Sequence, residues 1–542
     1  MQSMNTTKLV PSPGPLPWGE GEQWRRLDRS GSRPYRGHHE PTRRSGTGFQ
    51  PVSPGILPEE VTGAGSPGDR LEACPTIQRF LERGKDAQVS ARVQKQNCAP
   101  CRATLLAALL LVTTSFAAGA AEGRRALLSE GVNREFPALE QFYRELHASP
   151  ELSLHEEKTA ARVAAELMKL GIEVTSRVGG HGLVGVLRNG AGPTVLVRTD
   201  LDALPVKEET GLPYASRVRT TNDTGAEVSV MHACGHDIHM TSLVGAARLL
   251  TQLKDHWSGT VVFIGQPAEE RGSGARAMLA DGLFTRFPKP SACLALHVGA
   301  EMAAGSVGVV EGYVLANVDS VDITIRGAGG HGAWPHKTKD PIVLAAQTVM
   351  ALQTIVSREK DPLDAAVVTV GSIHGGTKHN IIPDEVKLQI TVRSFTDDVR
   401  NQTLDAIRRI ARGQALSAGV PEDRLPAVTV LDHEFTPACF NNPELARKLR
   451  GAFNRWFGEA KVLSPRPLMG GEDFAEYGRT PDKIPVCLFW LGSVEPERVA
   501  ESERSGKPLP SLHSNLYRPV PEPTIKTGVT AMTAAVLELL GK

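Results

Sequence analysis

The spacing of hydrophobic residues predicts alternating helices and strands from about residue 130 onward. Apolar residues at helical intervals indicate helices, and short continuous apolar runs indicate buried strands. In chain order these elements are helices over 136–147 and 156–170, strands over 183–187 and 194–198, a helix over 241–253, and strands over 260–265 and 292–297. Such alternation is typical of an α/β fold whose mostly parallel sheet is covered by helices on both faces.

The pattern changes after Gly312. Val321, Ile323 and Ile325 alternate with polar residues, which predicts a strand with one buried face. The elements that follow have the order β-α-β-β-α-β, over 320–326, 340–358, 366–373, 386–395, 397–418 and 427–431. This order predicts a ferredoxin-like α+β domain at 316–431. It would interrupt one α/β domain made of residues 130–315 and 432–542, which ends in an apolar helix over 527–540.

The N-terminal part of the chain has a different composition. Residues 1–70 contain 11 Gly and 10 Pro without a regular period. This composition is typical of disordered segments. We therefore assign no fold to residues 1–102 and expect them to be absent from the mature protein.

Residues 103–121 resemble the core of a secretory signal peptide. Arg102 precedes a short Leu/Ala run, and Ala118-Gly119-Ala120 offers a small-residue cleavage site. The run is too short and too interrupted for a stable membrane span, although a retained anchor or a buried helix is the alternative. We expect a secreted or periplasmic protein without stable membrane insertion. Because the signal begins near residue 93, we infer a start codon downstream of Met1, with Val89 or Val93 as candidates.

Charge and cysteine content exclude two classes of protein. The 61 basic and 60 acidic residues give a net charge of +1, so a dedicated nucleic-acid binder is excluded. Seven cysteines in 542 residues exclude a small disulfide-framework protein. Of the four cysteines after the leader, Cys293, Cys439 and Cys487 are scattered as buried thiols would be, whereas Cys234 lies in a motif.

That motif runs from His232 to His239 and holds three His, one Cys and one Asp in eight residues. Thiolate and imidazole are the ligands that borderline-soft divalent metals prefer. Gly235 allows a tight turn that would let Cys234 and His236 face one ion. The motif predicts a metal site; the alternative is a polar loop that leads into a helix.

Two pairs of carboxylates follow predicted strands. Asp200 and Asp202 come directly after one strand, and Glu269 and Glu270 follow another. Open α/β sheets place their sites at the carboxyl ends of parallel strands. Adjacent glutamates divide most simply into one metal ligand and one general base. Taken alone, each pair could also be a turn pair or an acidic helix start.

Further polar residues are candidates for the same site. His297 closes a predicted buried strand, and His513 lies in a loop before the last helix. In the inserted domain, His331 has glycine neighbours, and Asn380 and Arg393 supply an amide and a guanidinium. The planar guanidinium of Arg binds both oxygens of a carboxylate. Taken singly, these residues could be a core histidine, surface histidines, a loop amide and a surface arginine.

Together the motifs resemble the amidohydrolase branch of the aminoacylase/carboxypeptidase metallopeptidase superfamily. That branch includes hippurate hydrolases, auxin-conjugate hydrolases and N-acetyl-diaminopimelate deacetylases. The resemblance spans residues 136–540 and rests on six motifs in the same order. They are Arg198 to Pro205, Met231 to Asp237, Gln266 to Glu270, Gly329 to His336, Asn380 to Asp384 and Met469 to Phe474.

The resemblance implies a centre of two divalent metal ions. By position its ligands match Cys234 as the bridging ligand, His236, Glu270, His297 and His513. Such ligands suit Mn and Zn, and Ni and Co are tolerated. Two neighbours of these ligands depart from the family pattern, because Ile238 replaces a common Gly and Asn515 replaces a common Pro.

The resemblance also implies roles for five other residues. Glu269 matches the general base, and Asp202 matches a carboxylate that orients the site. His331 matches a histidine that polarises the scissile carbonyl, typically across a dimer. Asn380 and Arg393 match the groups that hold the substrate's carboxylate. The α+β domain would be the lid and would form a homodimer, and the α/β domain would be catalytic.

The expected function is metal-dependent hydrolysis of the amide bond in N-acyl amino acids. A metallo-carboxypeptidase or dipeptidase is the alternative within the enzyme class. The Cys-Gly-His loop favours the amidohydrolase, because the peptidase branch usually uses His and Asp ligands. A third hypothesis is an inactive protein that binds N-acyl amino acids. The complete set of candidate ligands and catalytic residues argues against it.

Overall fold

The computed structural model describes Gly123 and residues 125–542. The predicted disordered segment, the predicted signal peptide and the predicted start codon all lie outside these described residues. Within them, every helix is either too short or too polar to cross a membrane.

The described chain contains eleven α-helices and eighteen strands, numbered here in chain order. The helices are α1 (125–147), α2 (Glu157–Lys169), α3 (His236–Gln252), α4 (Gly274–Ala280), α5 (Leu283–Arg286), α6 (Pro341–Thr354), α7 (Asp397–Ser417), α8 (Pro443–Phe457), α9 (Ala475–Arg479), α10 (Pro496–Ser505) and α11 (Pro521–Leu540). The strands are β1 (Glu173–Ser176), β2 (Leu183–Asn189), β3 (Thr194–Asp200), β4 (Arg219–Thr221), β5 (Glu227–Ser229), β6 (Gly259–Gln266), β7 (Ala292–Ala303), β8 (Val307–Gly308), β9 (Gly312–Leu315), β10 (Asn317–Arg326), β11 (Gly330–His331), β12 (Ala366–His374), β13 (Ile381–Ile382), β14 (Glu385–Ser394), β15 (Ala427–Val430), β16 (Cys439–Asn441), β17 (Val462–Leu463) and β18 (Val486–Val494).

Eight strands form the large sheet, in the order β1-β2-β6-β3-β7-β18-β8-β17. Its centre, β6-β3-β7-β18, is parallel. Strands β1, β2 and β8 join through antiparallel pairs, and the edge strand β17 pairs parallel with β8. Apolar cores cover both faces, one including Leu243 and Val529 and the other including Met278 and Tyr477. The predicted α/β fold with a mostly parallel, doubly covered sheet is confirmed.

Four antiparallel strands form a second sheet, the small sheet, in the order β12-β14-β10-β15. Val321, Ile323 and Ile325 on β10 are fully buried against α6 and α7, as their alternation predicts. The chain visits the elements as β10-α6-β12-β14-α7-β15, which is the predicted β-α-β-β-α-β order. The domain boundaries and a lid function for this sheet remain predictions.

Several element boundaries differ from the sequence prediction, and two of these differences concern candidate metal ligands. Helix α3 begins at His236 rather than near residue 241, because its first turn carries polar residues that are buried and so hide the helical pattern. Strand β7 continues to Ala303, so the prediction that His297 closes it was wrong. Pairing with β18 carries the strand past the histidine, since tertiary context overrides local sequence signals.

Candidate metal centre

The candidate metal ligands meet at the carboxyl-terminal edge of the large sheet. Asp200 ends β3, and Glu269 and Glu270 occupy a short 3₁₀ turn after β6. His236 begins α3 after Gly235, whose φ is 77°. Glycine is required there, because a Cβ would also come within 2.6 Å of Val298 Cγ2. Parallel strands open their crevice at this edge, so the sheet topology itself gathers these side chains.

Two buried histidines are held in the same way. His236 Nδ1 lies 2.8 Å from the carbonyl oxygen of Asp202, and His297 Nδ1 lies 2.9 Å from that of Val298. A carbonyl oxygen can only accept, so in both rings Nδ1 carries the donated proton. In the neutral form of each ring Nε2 then has a free lone pair, which is the arrangement that metal-binding histidines use.

Two groups of potential ligand atoms share Cys234. One comprises Cys234, His236 and His297, and the other comprises Cys234, Glu270 and His513; within each group the ligand atoms lie within 4.8 Å of one another. His297 Nε2 is 3.6 Å from Cys234 Sγ, and His513 Nε2 is 3.5 Å from Glu270 Oε2. The five residues predicted as ligands are thus brought together, and a shared thiolate matches a bridging position.

Unpartnered buried atoms show that these residues fit metal ions. Among the described residues, His236 Nε2 and Glu270 Oε1 have no hydrogen-bond partner, although both are buried. They lie 3.8 Å apart. Burying polar atoms without partners is costly, and a divalent cation between them would satisfy both.

The electrostatic field of the centre favours a cation. Burial lowers the pKa of His236, but the charges of Asp200 and Asp202 outweigh burial and raise it to about 10. Burial, reinforced by Glu270 and Glu269, raises the pKa of the Cys234 thiol well above its usual value. A positive ion among these groups would stabilise the carboxylates and a thiolate.

The two adjacent glutamates have different surroundings. Glu270 faces His236 on one side and His513 on the other. Glu269 lies 3.9 Å from His236 Nε2 and also faces the carboxylates of Glu472 and Asp473. Burial, then Glu472, raises the pKa of Glu269 well above its usual range. Glu270 thus lies between two other candidate ligands, whereas Glu269 lies against two further carboxylates.

Asp202 connects two parts of the centre. Its carbonyl oxygen holds His236, and its Oδ2 accepts hydrogen bonds from Glu270 N at 3.0 Å and Ser153 Oγ at 2.6 Å. The carboxylate is fully buried. It lies behind Glu270 and His236, where the sequence analysis placed an orienting carboxylate.

A buried arginine links residues that the sequence analysis gave no role. Arg198 donates to Asp200 Oδ2 at 2.6 Å and to Glu472 Oε1 at 2.8 Å. His239 lies beside them, with Nδ1 at 2.8 Å from Asp200 Oδ1 and Nε2 accepting from Val298 N at 3.0 Å. Both nitrogens of His239 are thus used, so it is not free to bind a metal. Arg198 and Asp200 lie in one of the motifs that carry the resemblance and Glu472 in another, but the motifs alone did not predict these contacts.

The centre opens into a cleft of about 930 Å³ between the large sheet and the small sheet. Cys234, Glu269, Glu270, His297 and His513 line this cleft. Arg393 of β14 lines the same cleft and donates Nη1–H to the carbonyl oxygen of Met469 at 2.9 Å. The predicted carboxylate receptor thus shares the cleft with four of the predicted metal ligands and the predicted base.

His331 and Asn380 lie elsewhere. They are exposed at the two-stranded sheet of β11 and β13, where Gly332 N donates to the carbonyl oxygen of Asn380 at 2.9 Å. Neither is among the described residues that line the cleft. Within one chain, the structure therefore does not bring these two predicted residues to the metal ligands.

Comparison with known families agrees with this geometry. The model of the peptidase family M20/M25/M40 matches residues 196–506, which is more than half of the chain. The chain belongs to this family. M20 enzymes hydrolyse amide bonds, and the matched region contains all of the candidate ligands except His513.

Two curated relatives and one solved structure are similar to this M20 chain. N-acetyl-L-cysteine deacetylase of Bacillus subtilis (strain 168) is 39% identical over 65% of this chain and 79% of its own length. Thermostable carboxypeptidase 2 of Saccharolobus solfataricus is 34% identical over 74% of this chain and 95% of its own. The crystal structure of the Bacillus subtilis YXEP protein, a dinuclear metal-binding M20 peptidase, matches with a TM-score of 0.60 at 29% identity, covering 75% of this chain and 100% of that one.

Proposed function

We propose that this M20 protein is a metal-dependent amidohydrolase that removes the acyl group from N-acyl amino acids. The observation that carries the proposal is the grouping of Cys234, His236, Glu270, His297 and His513 beside a separate, buried Glu269. The deacetylase relative, which acts on N-acetyl-L-cysteine by its name, supports the substrate class.

Glu269 is the general base in this proposal. A bound pair of divalent cations would lower the pKa of a water molecule and polarise the scissile carbonyl. Glu269 accepts the proton of the attacking water and delivers it to the leaving amine.

Arg393 is the receptor for the substrate's carboxylate. Arg393 lines the same cleft as Cys234, Glu270, His297 and His513, so a substrate whose carboxylate it binds can extend its amide toward them. Bidentate binding fixes orientation as well as position, which lowers the entropic cost of reaching the transition state.

We propose that the protein works as a homodimer and that the small sheet forms the interface. The edge strand β12 leaves Ile373 52% exposed, and α6 leaves Val343 and Met350 53% and 72% exposed. An apolar surface beside an open sheet edge is a favourable place for a second copy to pack. His331 and Asn380 lie away from the cleft of their own chain. In a dimer they would lie near the cleft of the partner subunit.

The metal ions we propose are Mn or Zn. Cysteine, histidine and glutamate together suit several first-row divalent ions. The availability of each metal therefore decides whether Mn, Zn, Ni or Co is bound.

We also propose that the protein is exported to the periplasm or outside the cell. N-terminal sequencing of the native protein tests the export proposal: a mature start near residue 122 supports it, and a peptide from residues 5–80 contradicts it.

A carboxypeptidase acting on short peptides is the second candidate. The observation in its favour is the similarity to thermostable carboxypeptidase 2. In that case the cleft would bind a peptide's C-terminal carboxylate at Arg393 and the same groups would cleave the peptide bond.

A substrate panel separates these candidates. Residues 122–542 are stripped of metal, reloaded with Mn²⁺ or Zn²⁺, and incubated with N-acetyl amino acids, N-benzoyl amino acids and dipeptides. Released amines are read by mass spectrometry. Metal-dependent release from the N-acyl amino acids supports the amidohydrolase, and release from dipeptides alone supports the carboxypeptidase. No release from any of them, with metal bound, would contradict both and favour a binding protein.

A further inference from the structure

The loop between α1 and α2, residues 151–156, runs along the back of the metal centre. Ala203 N donates to the carbonyl oxygen of Glu151 at 2.8 Å, and Leu152 forms a β-bridge with Ala203. These contacts anchor the loop to the segment that follows β3. From there, the side chain of Glu156 reaches the turn that carries Glu269 directly, and that of Ser153 reaches it through Asp202.

Glu156 contacts this turn through one oxygen atom. Its Oε1 accepts hydrogen bonds from the backbone N–H of Leu154 and of Ala268, both at 2.8 Å. Glu156 is fully buried. Ala268 immediately precedes Glu269, so the carboxylate of Glu156 holds the backbone from which the proposed base extends.

Both donors have unusual backbone conformations. Leu154 has a φ of 69° and Ala268 a φ of 48°, which is the left-handed region that residues with a Cβ rarely adopt. Such conformations persist only where the surrounding structure enforces them. One buried acceptor shared by the two N–H groups is a contact that can do so.

The other side of Glu269 is held from the same loop. Ser153 Oγ donates to Asp202 Oδ2 at 2.6 Å, and Glu270 N donates to that same oxygen at 3.0 Å. The residues before and after Glu269 are therefore both fixed by carboxylates, one supplied by the loop and one oriented by it.

We propose that Glu156 is a positioning residue that fixes Ala268 and thereby aims the carboxylate of Glu269 at the metal centre. This inference rests on the proposed role of Glu269 as the base. Glu156 also holds Leu154, which is 52% exposed and lines the cleft. The same carboxylate thus links the wall of the cleft to the base.

Amide hydrogen exchange of the metal-free protein tests the contact itself. We expect faster exchange in peptides covering 152–156 and 266–271 of Glu156→Ala, and near-normal exchange in Glu156→Gln, whose amide oxygen still accepts. Glu157→Ala is the matched control, because Glu157 is the neighbouring glutamate and is exposed. Unchanged exchange of these peptides in Glu156→Ala would overturn the inference.

Kinetics test the consequence. In Glu156→Ala with normal metal content, we expect kcat to fall by about 10- to 100-fold, because small misplacement of a catalytic group has effects of that size. KM should change little, and Glu156→Gln should recover most of kcat. A merely structural role would lower the melting temperature while the folded variant kept its kcat, and that result would overturn the inference. If Glu269→Gln itself leaves activity unchanged, the proposed base is wrong, whereas the exchange experiment still reports on the contact.

Discussion

The imidazole rings of His236 and His297 lie at 89° to each other, with their centroids 6.2 Å apart. Each ring is fixed by a hydrogen bond from Nδ1 to a backbone carbonyl, which leaves Nε2 to bind an ion. Because the backbone fixes both rings, the site is organised before a metal arrives. The affinity for metal then depends on the remaining candidate ligands, and most of all on Cys234.

Replacing Cys234 should remove metal. Cys234 belongs to both candidate ligand groups, so we expect Cys234→Ala to lose affinity for both ions. The loss should exceed the roughly 10- to 100-fold effect of removing a group that only supports a ligand. The loss is checked by measuring the metal content of the dialysed protein with inductively coupled plasma mass spectrometry. Cys487→Ala is the control, because Cys487 is also buried but lies outside both groups; equal metal retention in the two variants would refute the assignment.

Replacing Arg393 should weaken the binding of the substrate carboxylate. We expect Arg393→Lys to lower kcat/KM for an N-acyl amino acid by roughly 10- to 100-fold, in line with about 1.5–3 kcal/mol for a hydrogen bond to a charged group. The effect should fall on KM more than on kcat. It should be small for the corresponding N-acyl amino acid amide, which has no carboxylate. Arg408→Lys on the surface of α7 serves as control. An equal loss with both substrates would argue against the assigned role.

His147 should make stability depend on pH. Burial lowers its pKa, but hydrogen bonds to Asp237 and Glu208 raise it to about 9. Because this exceeds the unfolded value of about 6.5, the charged histidine stabilises the folded protein fully below about pH 6.5, and the effect is lost as pH rises through about 9. The contribution has an upper limit of about 3 kcal/mol.

Urea unfolding of metal-free protein at several pH values measures this contribution. The difference in free energy of unfolding between wild type and His147→Gln should be largest near pH 6 and should shrink toward pH 9.5. His155→Gln, at an exposed position, provides the comparison. A difference that grows with pH would reverse the sign and contradict the ion pairs of His147.

Charge placed on the exposed face of α6 should disrupt the proposed dimer. Met350 is 72% exposed there, so Met350→Asp adds a charge that a second copy would have to bury. We expect a dimer for the wild type and a monomer with lower kcat but normal metal content for the variant, measured by light scattering. Leu127→Asp on α1 is the control, since Leu127 is also half exposed. A wild-type monomer with full activity would rule the dimer out.

Local sequence patterns predicted some elements and site residues, whereas features that depend on long-range contacts could not be predicted from them. The buried alternation of Val321, Ile323 and Ile325 identified β10, because one strand face meets one core. The histidine and cysteine motif predicted Cys234 and His236 as metal ligands, because ligand chemistry is concentrated in a short segment. The link from Arg198 to Glu472 joins residues 274 positions apart, so no local pattern could reveal it. The continuation of β7 past His297 depends in the same way on its neighbour β18.

The most direct test of the central claim is the turnover of Glu269→Gln with its metal content measured in the same sample. The substitution keeps the size of the side chain and removes its ability to accept a proton. We expect kcat to fall by about 100- to 10,000-fold at unchanged metal content, which is the usual contribution of general acid–base catalysis. Near-wild-type turnover in a fully metal-loaded variant would contradict the assignment of Glu269 as the base.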